Sequence, residues 1–473
     1  MKLRLCHGDL HLAPLRTRMP FKYGIATMTE TTYAFVRLRV EIDGRSVEGI
    51  AADSLPPKWF TKDPLKPLAD EVAEMLAVIR HALAAAVGLG GENAFEIWQQ
   101  LYAVQGAWGA AQGQPSLLTH FGTSLVERAL IEAVSRAAGR PFGDVLRAGG
   151  FGLQLGQIHP SLAPFTPAQL LPDRPLAQLI ARHTVGLSDP LTDEEIPAGE
   201  RLSDGLPQSL VACIRAYGLR HFKLKLNGDA ARDLDRTRRI AAILREHAAA
   251  DFAFSLDGNE QFKTLDDFRR FWEEMQRDAG LREFLRHLLF VEQPLHRNQA
   301  LRPEVGPAFA AWPDRPPFII DESDGALDSL PAALALGYHG TSHKNCKGVF
   351  KGVANRCLLR RREHEQPHAA ALMSGEDLCN VGPVALLQDL AVMATLGIAS
   401  VERNGHHYHR GLSQFPPEVQ AQVLRHHPDL YQASAAGWPT LRIRDGQLDL
   451  GTVNAAPLGV GFAVAVEQFG AAA

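Results

Sequence analysis

Charged side chains stand at the ends of short apolar runs in the second half of the chain. The runs HFKLKL, FAFSLD, LLFVEQ, FIIDES and GTSHK end in Lys223 and Lys225, Asp257, Glu292, Asp321 with Glu322, and Lys344. Successive runs lie roughly 20–35 residues apart, about the length of one strand and one helix. This spacing predicts that consecutive strands deliver one charged group each to a common place.

The acidic members are suited to bind a metal ion. Asp257, Glu292 and Asp321 are hard oxygen donors, and neither Cys nor His competes within their three runs. Such a set suits octahedral Mg²⁺, with Mn²⁺ as the other possibility, and leaves positions for water and substrate. Each acid alone is explained as well by capping the helix that follows it. Three acids at corresponding strand ends favour the metal.

The lysines are suited to move protons. Side chains alternate along a strand, so Lys223 and Lys225 share one face. In an eight-stranded barrel the second and sixth strands stand on opposite walls, so Lys225 and Lys344 would face each other. A carbon acid held between them could lose a proton to one lysine and regain one from the other. The alternative is that these lysines are only solvated surface amines, but an apolar strand rarely presents two lysines to water on its inner side.

The elements that must position these groups repeat in the sequence. Eight short runs begin near Thr184 and end with IASVER, with helix-sized segments between them. This alternation predicts a (β/α)8 barrel, whose chemistry lies at the carboxyl ends of the strands. The preceding 150 or so residues hold the strand pattern TTYAFVRLRVEIDG and two long helical patterns, which predicts an α+β domain.

Composition narrows the classes of function. The chain has 473 residues and a net charge of −4, which argues against nucleic acid as a partner. It carries five scattered cysteines and lacks both a signal-peptide core and a long apolar run, so we expect a cytoplasmic protein without a membrane partner. The sequence holds no phosphate-loop or dinucleotide motif, so no nucleotide cofactor is expected.

The ordered motifs KLK, LDGN, VEQP and DES, followed by Lys344, resemble the enolase superfamily, specifically the muconate lactonizing enzyme-like branch of its mandelate racemase/muconate lactonizing enzyme family. The resemblance implies an α/β protein with an α+β capping domain followed by a (β/α)8 barrel. It implies a capping domain with a substrate lid over residues 1–155, a catalytic barrel over 156–445, and a return to the capping domain over 446–473.

The resemblance also implies roles for the site residues. Asp257, Glu292 and Asp321 would bind Mg²⁺, Lys225 and Lys344 would be the acid/base pair, and Lys223 would support the substrate carboxylate. Asn259 and Glu322 would play supporting roles. Two choices stay open: Glu322 competes with Asp321 as third ligand, and Lys347 competes with Lys344 because the usual double glycine is missing nearby.

Candidate substrate contacts lie in three places. Tyr23 belongs to the expected lid, together with Arg18, Phe21 and Lys22, and His406 and His407 follow the eighth strand. A long acidic segment over residues 188–208 looks like a loop inserted over the barrel mouth.

The expected activity is α-proton abstraction from a small carboxylate through an enediolate, giving a racemase or epimerase and thus an isomerase. A dehydratase or a cycloisomerase on the same scaffold is the alternative, and a barrel that binds metal and carboxylate without turnover is the possibility from a different class. We expect a homo-oligomer.

Overall fold

The computed structural model describes residues 1–368 and 370–471. An antiparallel sheet near the N-terminus has the order β16-β1-β2-β3, with β4 on the edge of β1. Its strands are β1 Leu3–Tyr23, β2 Ala26–Ile42, β3 Arg45–Ser54, β4 Gly90–Gly91 and β16 Gly470–Ala471. The strand predicted from Thr31 is confirmed within β2, and the turn predicted at its end follows at Asp43 and Gly44.

Three helices cover this sheet and complete the capping domain. They are α1 Leu68–Ala86, α2 Ala94–Ala111 and α3 Ser116–Ala138. Helix α3 is buried along most of its length because it packs on β3 and on both other helices. Glycine permits this close approach: a Cβ at Gly122 would lie 2.2 Å from the carbonyl oxygen of Val78. Both helical patterns read from the sequence are confirmed as α1 and α3.

Eight parallel strands form the predicted barrel. They are β5 Gln178–Val185, β6 His221–Lys225, β7 Ala253–Asp257, β8 Leu288–Glu292, β9 Phe318–Ile320, β10 Gly340–His343, β11 Leu372–Gly375 and β12 Ser400–Arg403. Pairing of β12 with β5, from Ser400↔Ile180 to Arg403↔His183, closes the ring. The fold class is therefore confirmed. Strand β5 begins at Gln178, before the predicted start near Thr184. The sequence pattern did not reveal this earlier start because Arg182, which points into the barrel, interrupts the apolar run.

The remaining elements link and surround the barrel strands. The helices are α4 Phe142–Arg147, α5 Leu155–Ile158, α6 Pro167–Leu170, α7 Leu210–Tyr217, α8 Ala230–His247, α9 Leu265–Arg277, α10 Arg297–Ala300, α11 Val305–Ala310, α12 Ser329–Leu336, α13 Val349–Glu365, α14 Ala385–Thr395, α15 Gly405–Tyr408, α16 Pro417–His426 and α17 Gly451–Ala455. The short strands are β13 Tyr431–Ala433, β14 Pro439–Leu441 and β15 Gln447–Asp449. Among the helices that the structure describes, none has both the length and the apolar character needed to cross a membrane.

The capping domain and the barrel are joined by buried hydrogen bonds. The hydroxyl of Tyr33 donates to the carbonyl of Cys379 over 2.8 Å, and Asn380 Nδ2 donates to Asp53 Oδ1 over 3.0 Å. After β15 pairs with β5, the chain returns to the capping sheet, where β16 pairs with β1 and Phe469 stacks on Phe35. These contacts place the capping sheet over the carboxyl ends of the barrel strands.

Candidate active site

The three acidic residues predicted as metal ligands meet at the mouth of the barrel. Asp257 and Glu292 end β7 and β8 and lie opposite each other in the strand register, and Asp321 follows β9 directly. All three are at most 1% exposed. Parallel strands of similar length bring their last residues to one level, which is why the sequence spacing translates into proximity.

Lys223 lies deeper in the barrel, at the centre of a group of carboxylates. Its Nζ is 3.0 Å from Asp257 Oδ2 and 2.9 Å from Glu292 Oε2. It also lies 2.6 Å from Glu376 Oε2 and 3.1 Å from Glu402 Oε2. Lys223 therefore compensates a buried cluster of negative charge.

Sequence reasoning missed Glu376 and Glu402. Glu376 follows β11 directly, Glu402 lies near the end of β12, and Arg182 of β5 donates to the Glu376 carboxylate. The signal that revealed Asp257 and Glu292, an acid at the end of a barrel strand, is also present in SGED and VER. Seven of the eight strands, and not only five, carry a charged residue at or next to their carboxyl ends.

The two predicted acid/base lysines each pair with a different carboxylate. Lys225 Nζ is 2.6 Å from Asp257 Oδ2, and Lys344 Nζ is 2.6 Å from Asp321 Oδ2. They come from β6 and from the end of β10, four strands apart around the barrel. Both side chains line one cavity. The structure thus brings both lysines to the same cavity.

Lys347, the rival of Lys344, is placed differently. Its Nζ bonds Asp321 Oδ1 and the backbone carbonyl of Asp321, each over 2.7 Å, and Ser342 Oγ over 2.8 Å. Lys344, but not Lys347, is among the residues that line the cavity in the described part of the chain. The geometry favours Lys344 as the lysine that meets a substrate.

Asp321 and Glu322 also have different surroundings. Asp321 accepts from Lys344, whereas Glu322 Oε1 lies 3.4 Å from Asn259 Nδ2. Burial, together with the charges of Asp321 and Glu260, raises the pKa of Glu322 to about 7. The backbone amide of Asn259 in turn donates to Asp257 Oδ1 over 2.8 Å. Asn259 and Glu322 therefore lie beside the carboxylates, in the place expected of supporting residues.

The wall of the cavity opposite the charged groups is apolar. The residues contributed by the capping domain are Phe21, Tyr23, Met28, Pro56 and Trp59. The hydroxyl of Tyr23 donates to the carbonyl of Pro57 over 3.0 Å, so its ring is what faces the cavity. The ammonium of Lys344 lies 4.7 Å from the centre of the Trp59 ring, a cation–π contact.

The other candidate contacts lie elsewhere. His406 and His407 are buried, but the described cavity lining does not include them. Arg18 points away into the acidic segment over residues 188–208, where it pairs with Asp204 over 2.7 Å, and Lys22 is exposed. Of the predicted substrate contacts, the structure therefore brings only Tyr23, beside Phe21, to the cavity.

The donor set fits the Mg²⁺ that the sequence resemblance implies. Burial, together with the charges of Asp257 and Glu376, raises the pKa of Glu292 well above its ordinary value. Burial also raises the pKa of Asp257 and Asp321, but the neighbouring ammonium groups outweigh it and hold both pKa values below normal. A divalent cation would relieve the repulsion at Glu292, and all three residues offer the hard oxygen atoms that Mg²⁺ prefers.

Solved structures show which proteins share this architecture. A muconate lactonizing enzyme from Pseudomonas fluorescens, complexed with muconolactone, is 18% identical, with 98% of each chain covered and a TM-score of 0.60. A dipeptide epimerase from Enterococcus faecalis, complexed with Mg and the dipeptide L-Leu-L-Tyr, is 15% identical, with 96% of this chain and 99% of that chain covered and a TM-score of 0.59. An enolase from Bradyrhizobium, complexed with magnesium and mandelic acid, is 14% identical, with 99% of this chain and 98% of that chain covered and a TM-score of 0.59.

The sequence itself matches no family model and no curated protein. The likeness to the solved structures extends over nearly the whole chain and includes both the capping domain and the barrel. The chain therefore has the fold of the mandelate racemase/muconate lactonizing enzyme family of the enolase superfamily, and the resemblance read from its motifs is confirmed at the level of the fold.

Proposed function

We propose that this chain is a Mg²⁺-dependent isomerase that removes the proton α to a carboxylate and returns it on the opposite face. The observation that carries the proposal is the pair Lys225 and Lys344: both line one cavity, and each is 2.6 Å from a different carboxylate. A site that only binds ligand has no need of two opposed proton carriers.

In the proposed reaction the carboxylates and the lysines have different roles. Asp257, Glu292 and Asp321 would hold Mg²⁺, which when bound would neutralise the charge that develops on the substrate carboxylate. One lysine accepts the α-proton, and the other donates a proton from the opposite wall. Burial lowers the pKa of Lys344, but Asp321 outweighs burial and raises the pKa above its ordinary value. The ion pair with Asp321 favours the protonated form of Lys344, which suits the role of donor.

The lining of the cavity also limits which substrates we expect. Its charged floor would accept one carboxylate, whereas its aromatic and aliphatic roof offers no counter-ion for a second one. We expect a small carboxylate whose remaining part is apolar, such as an N-acyl amino acid or a hydroxy acid with a ring or an alkyl chain. A cytoplasmic location and a homo-oligomeric state are further proposals that rest on the sequence alone.

Proton NMR in D₂O tests the proposal. The purified protein with Mg²⁺ is incubated with N-acyl amino acids, apolar hydroxy acids and sugar acids, and the α-proton signal of each compound is followed. We expect loss of that signal for an apolar carboxylate, no loss with EDTA, and no epimerisation with Lys225→Ala or Lys344→Ala.

The exposed Lys263 provides the matched control. Lys263→Ala should behave as the unmodified protein. Loss of water from the substrate would instead identify a dehydratase, and ring closure would identify a cycloisomerase. A ligand that binds with Mg²⁺ but never exchanges its α-proton would contradict enzymatic turnover.

A further inference from the structure

A second group of metal-binding side chains lies outside the barrel wall. His183, Cys213 and His407 come from β5, α7 and α15, and each is at most 2% exposed. One nitrogen or sulfur atom from each lies within 4.8 Å of the other two. Three separate elements thus converge on one buried point, which we call the histidine–cysteine cluster.

The strand register explains why this cluster is separate from the active site. Arg182 and Thr184 of β5 point into the barrel, where they contact Glu376 and Glu402. His183 lies between them in sequence, so its side chain points outward, toward α7. The cluster and the carboxylate site therefore lie on opposite sides of the barrel wall.

The spacing of the donor atoms fits a tetrahedral zinc ion. His407 Nδ1 lies 3.5 Å from Cys213 Sγ. With Zn–S near 2.3 Å and Zn–N near 2.0–2.1 Å, tetrahedral angles place sulfur and nitrogen about 3.5 Å apart. The two side chains thus stand at hydrogen-bond distance, which is also the separation that a shared zinc ion requires.

Polar groups flank both rings. His183 Nδ1 lies 3.2 Å from His406 Nε2, and His407 Nε2 lies 3.8 Å from Asp189 Oδ2. The hydroxyl of Tyr408 and the amide of Gly186 hold Asp189 Oδ2 over 2.5 and 2.7 Å. A carboxylate or polar partner on the second nitrogen is the usual surrounding of a metal-bound histidine.

Two buried polar atoms beside the cluster have no hydrogen-bond partner. Asp189 Oδ1 and His406 Nδ1 belong to residues that are 6% exposed, and neither atom is bonded in the described structure. Buried polar atoms in protein interiors usually have a partner, and these two lie next to the three candidate ligands.

We propose that His183, Cys213 and His407 form a zinc site that joins β5, α7 and α15. The pair of nitrogen donors and one thiolate selects a borderline-soft ion, in contrast to the oxygen donors of the carboxylate site. Strands β12 and β5 close the barrel at this place. Zinc would therefore cross-link the first and last barrel strands, which pair with each other although they lie far apart in sequence.

Cobalt substitution tests this proposal independently of the isomerase activity. The full-length protein is produced in medium supplemented with Co²⁺, and its absorption spectrum is compared with that of protein from Zn²⁺-supplemented medium. We expect about one ion per chain in the cluster, the visible bands of tetrahedral Co²⁺, and a thiolate-to-cobalt charge-transfer band. Cys213→Ser should abolish the charge-transfer band, and His407→Asn should abolish or shift it.

The controls separate this site from the carboxylate site and from other thiols. Cys357→Ser, on the buried face of α13, should leave the spectrum unchanged. Asp257→Asn should also keep the thiolate band, even though it disrupts the Mg²⁺ donors. If Cys213→Ser fails to fold, the spectrum of the unmodified protein still decides. Absence of a thiolate band in that protein, with Co²⁺ bound only through oxygen or not at all, overturns the zinc site.

Discussion

At the scale of single residues, each proposed proton carrier has its own carboxylate partner. Lys225 is paired with Asp257 and Lys344 with Asp321, so loss of one lysine leaves the other pair in place. The two lysines reach the cavity from opposite walls, and each would meet only one face of a planar intermediate. Proton transfer on the two faces is therefore separable by substitution.

Lys344→Ala should separate the two half-reactions. We expect the epimer whose α-proton faces Lys225 to keep exchanging that proton with D₂O, because Lys225 and the three carboxylates remain. The opposite epimer should lose exchange by roughly 10²–10⁴-fold, the contribution typical of a positioned acid or base. NMR of each pure epimer measures both rates. An equal loss of α-proton exchange for both epimers would show that Lys344 does not act on one face of the substrate only.

Lys225→Ala is the mirror experiment. It should reverse the preference, so that only the epimer facing Lys344 exchanges. Lys225 is the buried last residue of β6, and its truncation leaves the Asp257 carboxylate with Lys223 as its remaining ammonium partner. Circular dichroism of the variant checks the fold. A variant that retains exchange of both epimers would exclude Lys225 as a proton carrier.

At the scale of elements, helix α3 of the capping domain also organises the barrel. Glu127 of α3 accepts hydrogen bonds from the backbone amides of Val349 and Phe350, over 3.0 and 2.7 Å, at the start of α13. Free amides at a helix start need such an acceptor. A carboxylate from one domain thus serves as the N-terminal partner of a helix in the other.

The same carboxylate makes stability depend on pH. Burial raises the pKa of Glu127 to about 7 from an ordinary value of 4.5, although the two amides act against it. Between these values the unfolded chain has lost the proton and the folded chain keeps it. The free energy of unfolding should therefore fall as pH rises from about 4.5 to about 7, by roughly 3 kcal/mol at most from this group. Urea unfolding of the unmodified protein and of Glu127→Gln at several pH values measures this change in the free energy of unfolding. If the free energy of unfolding varied with pH in the same way for both proteins, the pH dependence would not come from Glu127.

Strand β1 is tied to the acidic segment over residues 188–208. The Arg18 guanidinium donates to both oxygens of Asp204, over 2.7 and 3.0 Å, and also to the carbonyl groups of Leu206, Pro207 and His407. Arg18→Met leaves a carboxylate and three carbonyls without their donor. We expect amide hydrogen exchange over residues 188–208 to accelerate by roughly a hundredfold.

Mass spectrometry of peptides from residues 188–208 measures that rate. Arg201→Met is the matched control, because Arg201 is exposed and contacts only backbone oxygens of its own segment, at Asp193 and Ile196. Protection that persists in Arg18→Met would show that the segment holds its conformation without the capping domain.

The sequence predicted the elements better than the contacts of individual side chains. Strand periodicity located all eight barrel strands because buried parallel strands are short apolar runs bounded by helical segments. It placed the start of β5 too late, since the buried charge of Arg182 resembles the end of a strand. It suggested a direct substrate role for His406 and His407, because chain position alone does not reveal which way a loop folds back.

At the scale of the whole molecule, the capping sheet and the barrel share a hydrogen-bonded interface. Tyr33 of β2 donates to the carbonyl of Cys379 and accepts from the amide of Val381 over 3.1 Å. Cys379 and the neighbouring Leu378 also line the cavity. The interface that joins the domains is thus the support of one cavity wall.

Tyr33→Phe should weaken the interface between the capping sheet and the barrel because it removes both hydrogen bonds of the Tyr33 hydroxyl. It leaves a buried carbonyl and a buried amide unpaired, which costs roughly 2–4 kcal/mol in total. We expect a lower free energy of unfolding in urea, together with weaker substrate binding. Tyr102→Phe is the control, because the Tyr102 ring stacks on His120 within the capping domain. Unchanged stability in Tyr33→Phe would show that the domains do not depend on this contact.

The two halves of the cavity are encoded in separate stretches of the chain. Residues between 21 and 59 supply the apolar roof, and residues from 223 onward supply the charged floor and the remaining wall. Exchange of the roof side chains other than Trp59, which contacts the Lys344 ammonium, should change which molecules are accepted while the proton-transfer machinery stays untouched. New substrates would then be within reach of a few substitutions in one short region, which makes that region the natural target for a directed-evolution library.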